Sequence, residues 1–200
     1  MSHYSEHQAF ISSLSPELRE AFDVACTEAS RIMSPAGLDA YIHGAESLRK
    51  LGRGDELVAT YLEAMPQLVK ECGEDIIADA VTAAMKLSSM TSGEVVSLMI
   101  GSLPTAARHL GDAALLRGYL TFIHQQASTA ARGLRPLLKH IDELLSKLTL
   151  SGLRRWAQFG SQAYRRDFKN LTAYFNLESA DSLATLQKER RGVLFVRAQR

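Results

Sequence analysis

The residues of this chain whose types could support chemistry are six histidines, two cysteines and several paired arginines. The histidines are His3, His7, His43, His109, His124 and His140. None of them belongs to the cysteine–histidine pattern of a zinc site. His140 and Asp142 are two positions apart on a predicted helix and so point to different faces. We therefore predict no metal site and no catalytic histidine.

The two cysteines, Cys26 and Cys72, do not form a disulfide framework in a chain of 200 residues. Both lie within helical apolar patterns, which predicts core packing. The sequence has no phosphate-binding G-x-x-x-x-G-K-[ST] loop and no G-x-S-x-G nucleophile elbow. We therefore expect a protein that is not an enzyme and has no cofactor.

The arginines form the candidate binding residues. They occur as three doublets, interleaved with aromatic residues such as Trp156 and Tyr164, and are Arg154, Arg155, Arg165, Arg166, Arg190 and Arg191. Such a pattern can form a solvated or locally paired helix face, a protein-binding face or a nucleic-acid-binding face. A net charge of +1, and aromatic residues at helical spacing, disfavour nucleic acid. We assign the six arginines to protein binding and keep nucleic-acid binding through the C-terminal half as the alternative function.

The two halves of the sequence carry opposite charges. Residues 1–100 contain 7 Lys and Arg against 15 Asp and Glu, a net charge of −8. Residues 101–200 contain 16 against 7, a net charge of +9. This asymmetry predicts a dipolar surface that could steer an acidic partner to one half and a basic partner to the other.

Most of the sequence carries helical signals, so we expect helices to position the histidines, cysteines and arginines. Ser15 with Pro16, and Ser34 with Pro35, each read as a helix N-cap followed by proline in the first turn. One leucine-rich stripe follows Arg135, and its members are Leu137, Leu138, Ile141, Leu144, Leu145 and Leu148.

Helix boundaries are predicted from glycine and proline. Turns are predicted at 52–54, 72–75, 111–112, 132–133, 151–152 and 178–182. Pro66 and Pro104 are expected to kink or end helices. No strand pattern occurs before residue 192, and the last residues read as extended.

An internal repeat indicates the architecture. Tyr61, Tyr119 and Tyr174 lie in similar segments at spacings of 58 and 55 residues, and each lies downstream of a glycine within a helical pattern, at Gly44, Gly101 and Gly160. A period near 57 residues predicts stacked helices. We expect the glycines at close helix contacts, and the tyrosine rings buried with their hydroxyls reaching an edge.

The predicted fold is therefore all-α, a solenoid-like helical repeat array of antiparallel helices, for which a HEAT-like arrangement is one option. The predicted organisation is an N-terminal tail at 1–14 and a helical repeat domain at 15–192. Its units are 33–89, 90–148 and 149–192, and residues 193–200 begin a connection to a further domain. The sequence has neither a secretory signal nor an apolar run of the ~20 residues that span a membrane. We expect a cytoplasmic protein.

Long stretches of this sequence resemble one bacterial adaptor family. "MSPAGLDAYIHGAESL", "LGRGDELVATYLEAMPQLVKECGED" and the segment from "LLRGYL" to "YRRDF" are similar to the N-terminal helical region of nitric oxide reductase activation protein D and rubisco activation protein CbbO. The resemblance extends over about residues 15–200. It rests on long patterns and assigns no role to individual residues.

The resemblance implies a function. Members of this family carry a von Willebrand factor A domain after the helical region, with a metal-ion-dependent adhesion site. They serve as adaptors for a hexameric MoxR-type AAA+ ATPase that remodels rubisco or nitric oxide reductase. The present chain is expected to be a fragment without the von Willebrand domain, so no metal site is carried over. The missing domain would grip the target enzyme, with rubisco favoured, and the helical part would dock on the ATPase.

Overall fold

The chain is built of helices joined by short turns in this computed structural model, which describes residues 7–147 together with Leu150 and Leu153. The helices are α1 (Gln8–Ser12), α2 (Pro16–Ala29), α3 (Pro35–Lys50), α4 (Asp55–Cys72), α5 (Ile76–Ser88), α6 (Gly93–Leu110), α7 (Ala113–Lys139) and α8 (Ile141–Lys147). No strand occurs among these described residues, and the predicted all-α class is confirmed. The extended segment predicted after residue 192 lies outside them.

The chain divides into two compact units, residues 1–141 and 142–200. The described part of the second unit consists of α8 after Ile141, with Leu150 and Leu153. Its four described leucines are all buried, and they are Leu144, Leu145, Leu150 and Leu153. Helices α1 to α7 belong to the first unit.

The helices of the first unit form two rows. In one row α2 packs against α4 and α4 against α6, and in the other α3 packs against α5 and α5 against α7. Consecutive helices pack across the rows as well, so the chain alternates between them. Each helix thus buries its apolar stripe against its own row and against the other row.

A short structural period runs through the first row. Each of the nine buried residues of α4 has a buried counterpart 38 positions later in α6, from Leu57 and Val95 to Val69 and Ala107. Each of the four buried residues of α2 has a buried counterpart 39 positions later in α4, from Leu18 and Leu57 onwards. Two helices therefore make one structural repeat in this row.

The predicted units 33–89, 90–148 and 149–192 stay a prediction, because most of the third lies outside the described residues. The hairpins α3–α4 and α6–α7 do share features that suggested these units. Gly52 and Gly111, in the turns between the paired helices, both have positive φ angles, of 63° and 65°. The two hairpins therefore share this turn geometry, in addition to the 38- and 39-residue offsets that relate neighbouring helices of the first row.

The tyrosines lie inside the helix contacts. Tyr61 and Tyr119 are fully buried, as predicted for their rings, but the prediction that their hydroxyls reach an edge was wrong. The Tyr61 hydroxyl donates to the backbone oxygen of Tyr41 at 3.0 Å. The Tyr119 hydroxyl lies 3.1 Å from Ser102 Oγ. Both bonds cross to the preceding helix, so each hydroxyl is satisfied by its own hairpin. Tyr174 lies outside the described residues.

The prolines do not end their helices. Of the predicted kink or end, the end was wrong at Pro66 and Pro104, since α4 and α6 continue through them, and the kink stays a prediction. Pro66 has no N–H to give to the oxygen of Leu62, four residues earlier. The buried Tyr41 hydroxyl donates to that oxygen at 2.8 Å. A tyrosine of the neighbouring helix thus supplies the hydrogen bond that the proline removes.

The predicted helix starts are confirmed. Ser15 Oγ accepts from the N–H of Leu18 at 3.3 Å, and Ser34 Oγ accepts from the N–H of Gly37 at 3.1 Å. The turns at 52–54 and 111–112 also fall between helices, and the turn at 72–75 begins at the last residue of α4. The turn predicted at 132–133 was wrong, because α7 continues to Lys139.

The leucine-rich stripe is buried but is not one helix. A turn at His140 separates α7 from α8, so the predicted stripe is shared between two helices. The described members of the stripe are all buried. The turns predicted at 151–152 and 178–182 lie outside the described residues.

The glycines differ in their surroundings. A Cβ on Gly44 would overlap the Tyr61 hydroxyl and lie 2.9 Å from Val81 Cγ2, so the predicted close contact is confirmed there. A Cβ on Gly101 would meet only Thr60 Cγ2, at 3.4 Å, and Gly101 is exposed. The predicted close contact was wrong for Gly101, and Gly160 lies outside the described residues.

Candidate docking surface

The six arginines predicted to bind protein lie outside the described residues. The structure therefore does not test Arg154, Arg155, Arg165, Arg166, Arg190 or Arg191, and their assignment stays a prediction. The described helices show a different candidate, on the exposed side of α2 and α4.

This candidate surface, the acidic face, combines glutamates with small and apolar residues. All of its members are exposed except the half-buried Thr60. In α2 they are Glu17, Glu20, Ala21, Val24 and Glu28, and in α4 they are Glu56, Ala59, Thr60 and Glu63.

The helical register brings these residues onto one side of the row. The buried stripes of α2 and α4 correspond at an offset of 39 residues, so the exposed sides correspond at the same offset. Glu17 then matches Glu56, and Val24 matches Glu63. Because α2 packs against α4, the two sides form one continuous face.

The glutamates of the acidic face make no ion pair with another described residue. Several acids elsewhere are paired. Arg117 Nε lies 2.6 Å from Asp79 Oδ2, and the pKa of Arg117 is raised by this bond. Farther along the row, Glu94 Oε1 lies 2.6 Å from Arg135 Nη2. The negative charge of this row that has no ion-pair partner among residues 7–147 is thus concentrated on α2 and α4.

The middle of the acidic face is uncharged. Val24 is 56% exposed, the highest value among the exposed large hydrophobic residues of the described chain. Ala21 lies one turn before it in α2, and Ala59 and Thr60, which match Glu20 and Ala21 at the 39-residue offset, add small side chains in α4. A partner could therefore bury apolar surface at the centre while it pairs with carboxylates around it.

Cations lie at the other edge of the same row. Arg31, Lys70 and Arg108 are exposed near the C-terminal ends of α2, α4 and α6. The partial negative charge of a helix C-terminus stabilises cations there. The exposed side of the row therefore carries glutamates on α2 and α4 and a line of three cations near the C-terminal ends of α2, α4 and α6.

A buried histidine forms a second polar cluster. His7 Nδ1 lies 3.2 Å from Glu46 Oε2, and His7 Nε2 lies 3.4 Å from Asp39 Oδ1. Hydrogen bonds from Lys50 and from His7 lower the pKa of Glu46. The cluster ties His7, the residue before α1, to α3, which gives it a structural role.

The cysteines are separate from both clusters. Cys26 is buried, as predicted, whereas Cys72 is only partly buried. Burial and the nearby carboxylates of Glu71 and Asp112 raise the pKa of the Cys72 thiol. Among the described residues, no group of three or more His, Cys, Asp or Glu is placed to hold a metal ion. No described helix is both long enough and apolar enough to cross a membrane.

Comparisons with family models, curated proteins and solved structures gave no match for this chain. The candidate surface therefore rests on the sequence and the geometry. Sequence reasoning identified the acidic N-terminal half but missed the acidic face. The recoverable signal was the 39-residue offset shared by the buried stripes of α2 and α4, which also aligns Glu17 with Glu56.

Proposed function

We propose that this chain is a non-enzymatic, cytoplasmic adaptor module that docks on a hexameric MoxR-type AAA+ ATPase. It would help the ATPase remodel or activate a target enzyme, with rubisco favoured over nitric oxide reductase. A von Willebrand factor A domain outside this chain would hold the target. The proposal rests on the family resemblance over about residues 15–200.

The observation that best supports this proposal is the stack of helices in two rows. Helices that repeat in register present long side faces, and such faces bind macromolecular partners. The acidic face is one of them, with carboxylates that have no partner among the described residues. The six arginines would supply the contacts to the ATPase, because guanidinium groups pair with carboxylates and stack on aromatic rings.

The test is co-elution of the chain with a MoxR-type ATPase from the same organism. At low salt we expect the two to co-elute in size-exclusion chromatography. The double variant Arg154→Glu and Arg155→Glu should weaken this binding while far-UV circular dichroism stays unchanged. A chain that never co-elutes at low salt would contradict the proposal. A variant that loses helicity would assign these two arginines to folding.

The nucleic-acid alternative receives no support from the described residues. The glutamates of the acidic face would repel phosphates from α2 and α4, in the N-terminal half, so this alternative depends on the C-terminal half alone. A titration with nucleic acid at two salt concentrations separates the alternatives, since phosphate-driven affinity falls steeply with salt.

A further inference from the structure

We propose that the acidic face binds a second copy of this chain through its arginine segment, defined as residues 154–166. The contact would join the N-terminal part of one copy to the C-terminal part of another. It goes beyond the proposed function, because it needs neither the ATPase nor the target enzyme.

The first step is the unmet charge of the acidic face. Its five glutamates are exposed and make no ion pair among the described residues. Arg19, on another side of α2, is occupied by the backbone oxygens of Ile11, Ser12 and Leu14. The acidic face therefore has several carboxylates ready to receive a basic partner.

The second step is the apolar centre of the same face. Val24 is 56% exposed, Ala21 precedes it by one turn of α2, and Ala59 is an exposed small residue of α4 between Glu56 and Glu63. A purely cationic partner would leave this centre uncovered. The fitting partner carries aromatic side chains among its cations, so that rings cover the centre while the cations reach the surrounding carboxylates.

The third step is that this chain contains such a partner. The arginine segment reads "RRWAQFGSQAYRR" and holds four arginines, three aromatic residues and no acid. Arginine forks pair with carboxylates in two parallel hydrogen bonds. The opposite net charges of the two halves, −8 for residues 1–100 and +9 for residues 101–200, extend this complementarity to the whole molecule.

The proposed contact joins two different surfaces of the same molecule. A contact of this heterologous kind leaves one acidic face and one arginine segment free at the ends of every open assembly. Copies should therefore add head to tail, into chains or a closed ring. The mean mass should rise with protein concentration and fall with salt.

The experiment measures the mass of the full chain by sedimentation velocity at two ionic strengths. At about 0.01 M the screening length is about 30 Å, and at about 1 M it is about 3 Å. We expect species heavier than the 22.0 kDa of one chain at low salt and a single chain at high salt. The self-association constant should weaken at least about tenfold between the two conditions.

Matched variants locate the contact. The double variant Glu56→Lys and Glu63→Lys should remain monomeric at low salt. The double variant Asp23→Lys and Glu71→Lys makes the same change of charge outside the acidic face, and it should associate like the unaltered chain. A control variant that is equally impaired would overturn the proposal, because net charge alone would then explain the effect.

A charge exchange gives the strongest test. The double variant Arg154→Glu and Arg155→Glu should also be monomeric alone. Mixed with the Glu56→Lys and Glu63→Lys variant, it should restore heavier species, because each altered surface then meets its complement. A failure to restore would overturn the proposal, as would an unaltered chain that stays monomeric at low salt or remains associated at about 1 M. ATPase is absent throughout, so failure here is distinct from failure of ATPase docking.

Discussion

The hydrogen bond from Tyr41 to Leu62 predicts a measurable coupling between Tyr41 and Pro66. Pro66 removes the N–H that would bond the Leu62 oxygen within α4, and the Tyr41 hydroxyl replaces it at 2.8 Å. In Tyr41→Phe that oxygen is buried without a donor. In a Pro66→Ala background the new N–H can supply the bond, so the same Tyr41→Phe change should cost less.

The magnitude follows from the burial of the pair. A buried acceptor left without a donor costs about 1–3 kcal/mol, whereas an ordinary net hydrogen bond contributes about 0.5–1.5 kcal/mol. Tyr41→Phe should therefore lower the free energy of unfolding by about 2 kcal/mol. That corresponds to about 4–8 °C in melting temperature for a chain of this size. With Ala at position 66 the loss should shrink by about 1 kcal/mol.

The assay is a double-mutant cycle by urea unfolding, followed by far-UV circular dichroism. Tyr61→Phe is the matched control, because its hydroxyl donates to the oxygen of Tyr41, which also accepts a bond within α3. Its effect should not depend on residue 66. If the effects of Tyr41→Phe and Pro66→Ala add within about 0.3 kcal/mol, the proposed replacement of the hydrogen bond is refuted.

Two further predictions concern the same helix contacts. Gly44→Ala should destabilise the chain by about 1–3 kcal/mol through overlap with Tyr61, whereas Gly101→Ala should stabilise it by up to about 1 kcal/mol. Unfolding curves of both variants test this, and equal effects would contradict it. Burial raises the pKa of Tyr41, Tyr61 and Tyr119. A raised folded-state pKa contributes stability that is complete below the unfolded value of about 10 and is lost as pH rises above it. Ionisation of these tyrosines should leave the midpoint of urea unfolding unchanged at neutral pH and should lower it at alkaline pH. A midpoint that rises above pH ~10 would contradict the assignment.

Local signals in the sequence predicted the helices well. Ser15 and Ser34 each cap a helix as expected, because an N-cap depends on a few adjacent residues. The prolines show where local signals fail. Proline inside a helix is costly in isolation, but α4 is held by its neighbours, and Tyr41 compensates from another helix. No local pattern contains that information.

The docking surface was harder to predict than the helices. Glu17 and Glu56 lie on the same side of the row only because α2 packs against α4 in the same register. Which helices pack together cannot be predicted from the sequence of either helix alone. The same limit explains the tyrosines. Their burial follows from the apolar pattern, but the Tyr119 hydroxyl bonds to Ser102, a partner that only the packed structure identifies.

Binding of the chain to the MoxR-type ATPase tests the proposed function most directly. The measurement is a titration of labelled chain with the ATPase hexamer, with an unrelated AAA+ hexamer as the control. We predict saturable binding to the first hexamer only, and its loss in the double variant Arg165→Glu and Arg166→Glu with helicity unchanged. Equal binding to both hexamers, or none to either, would contradict the proposal.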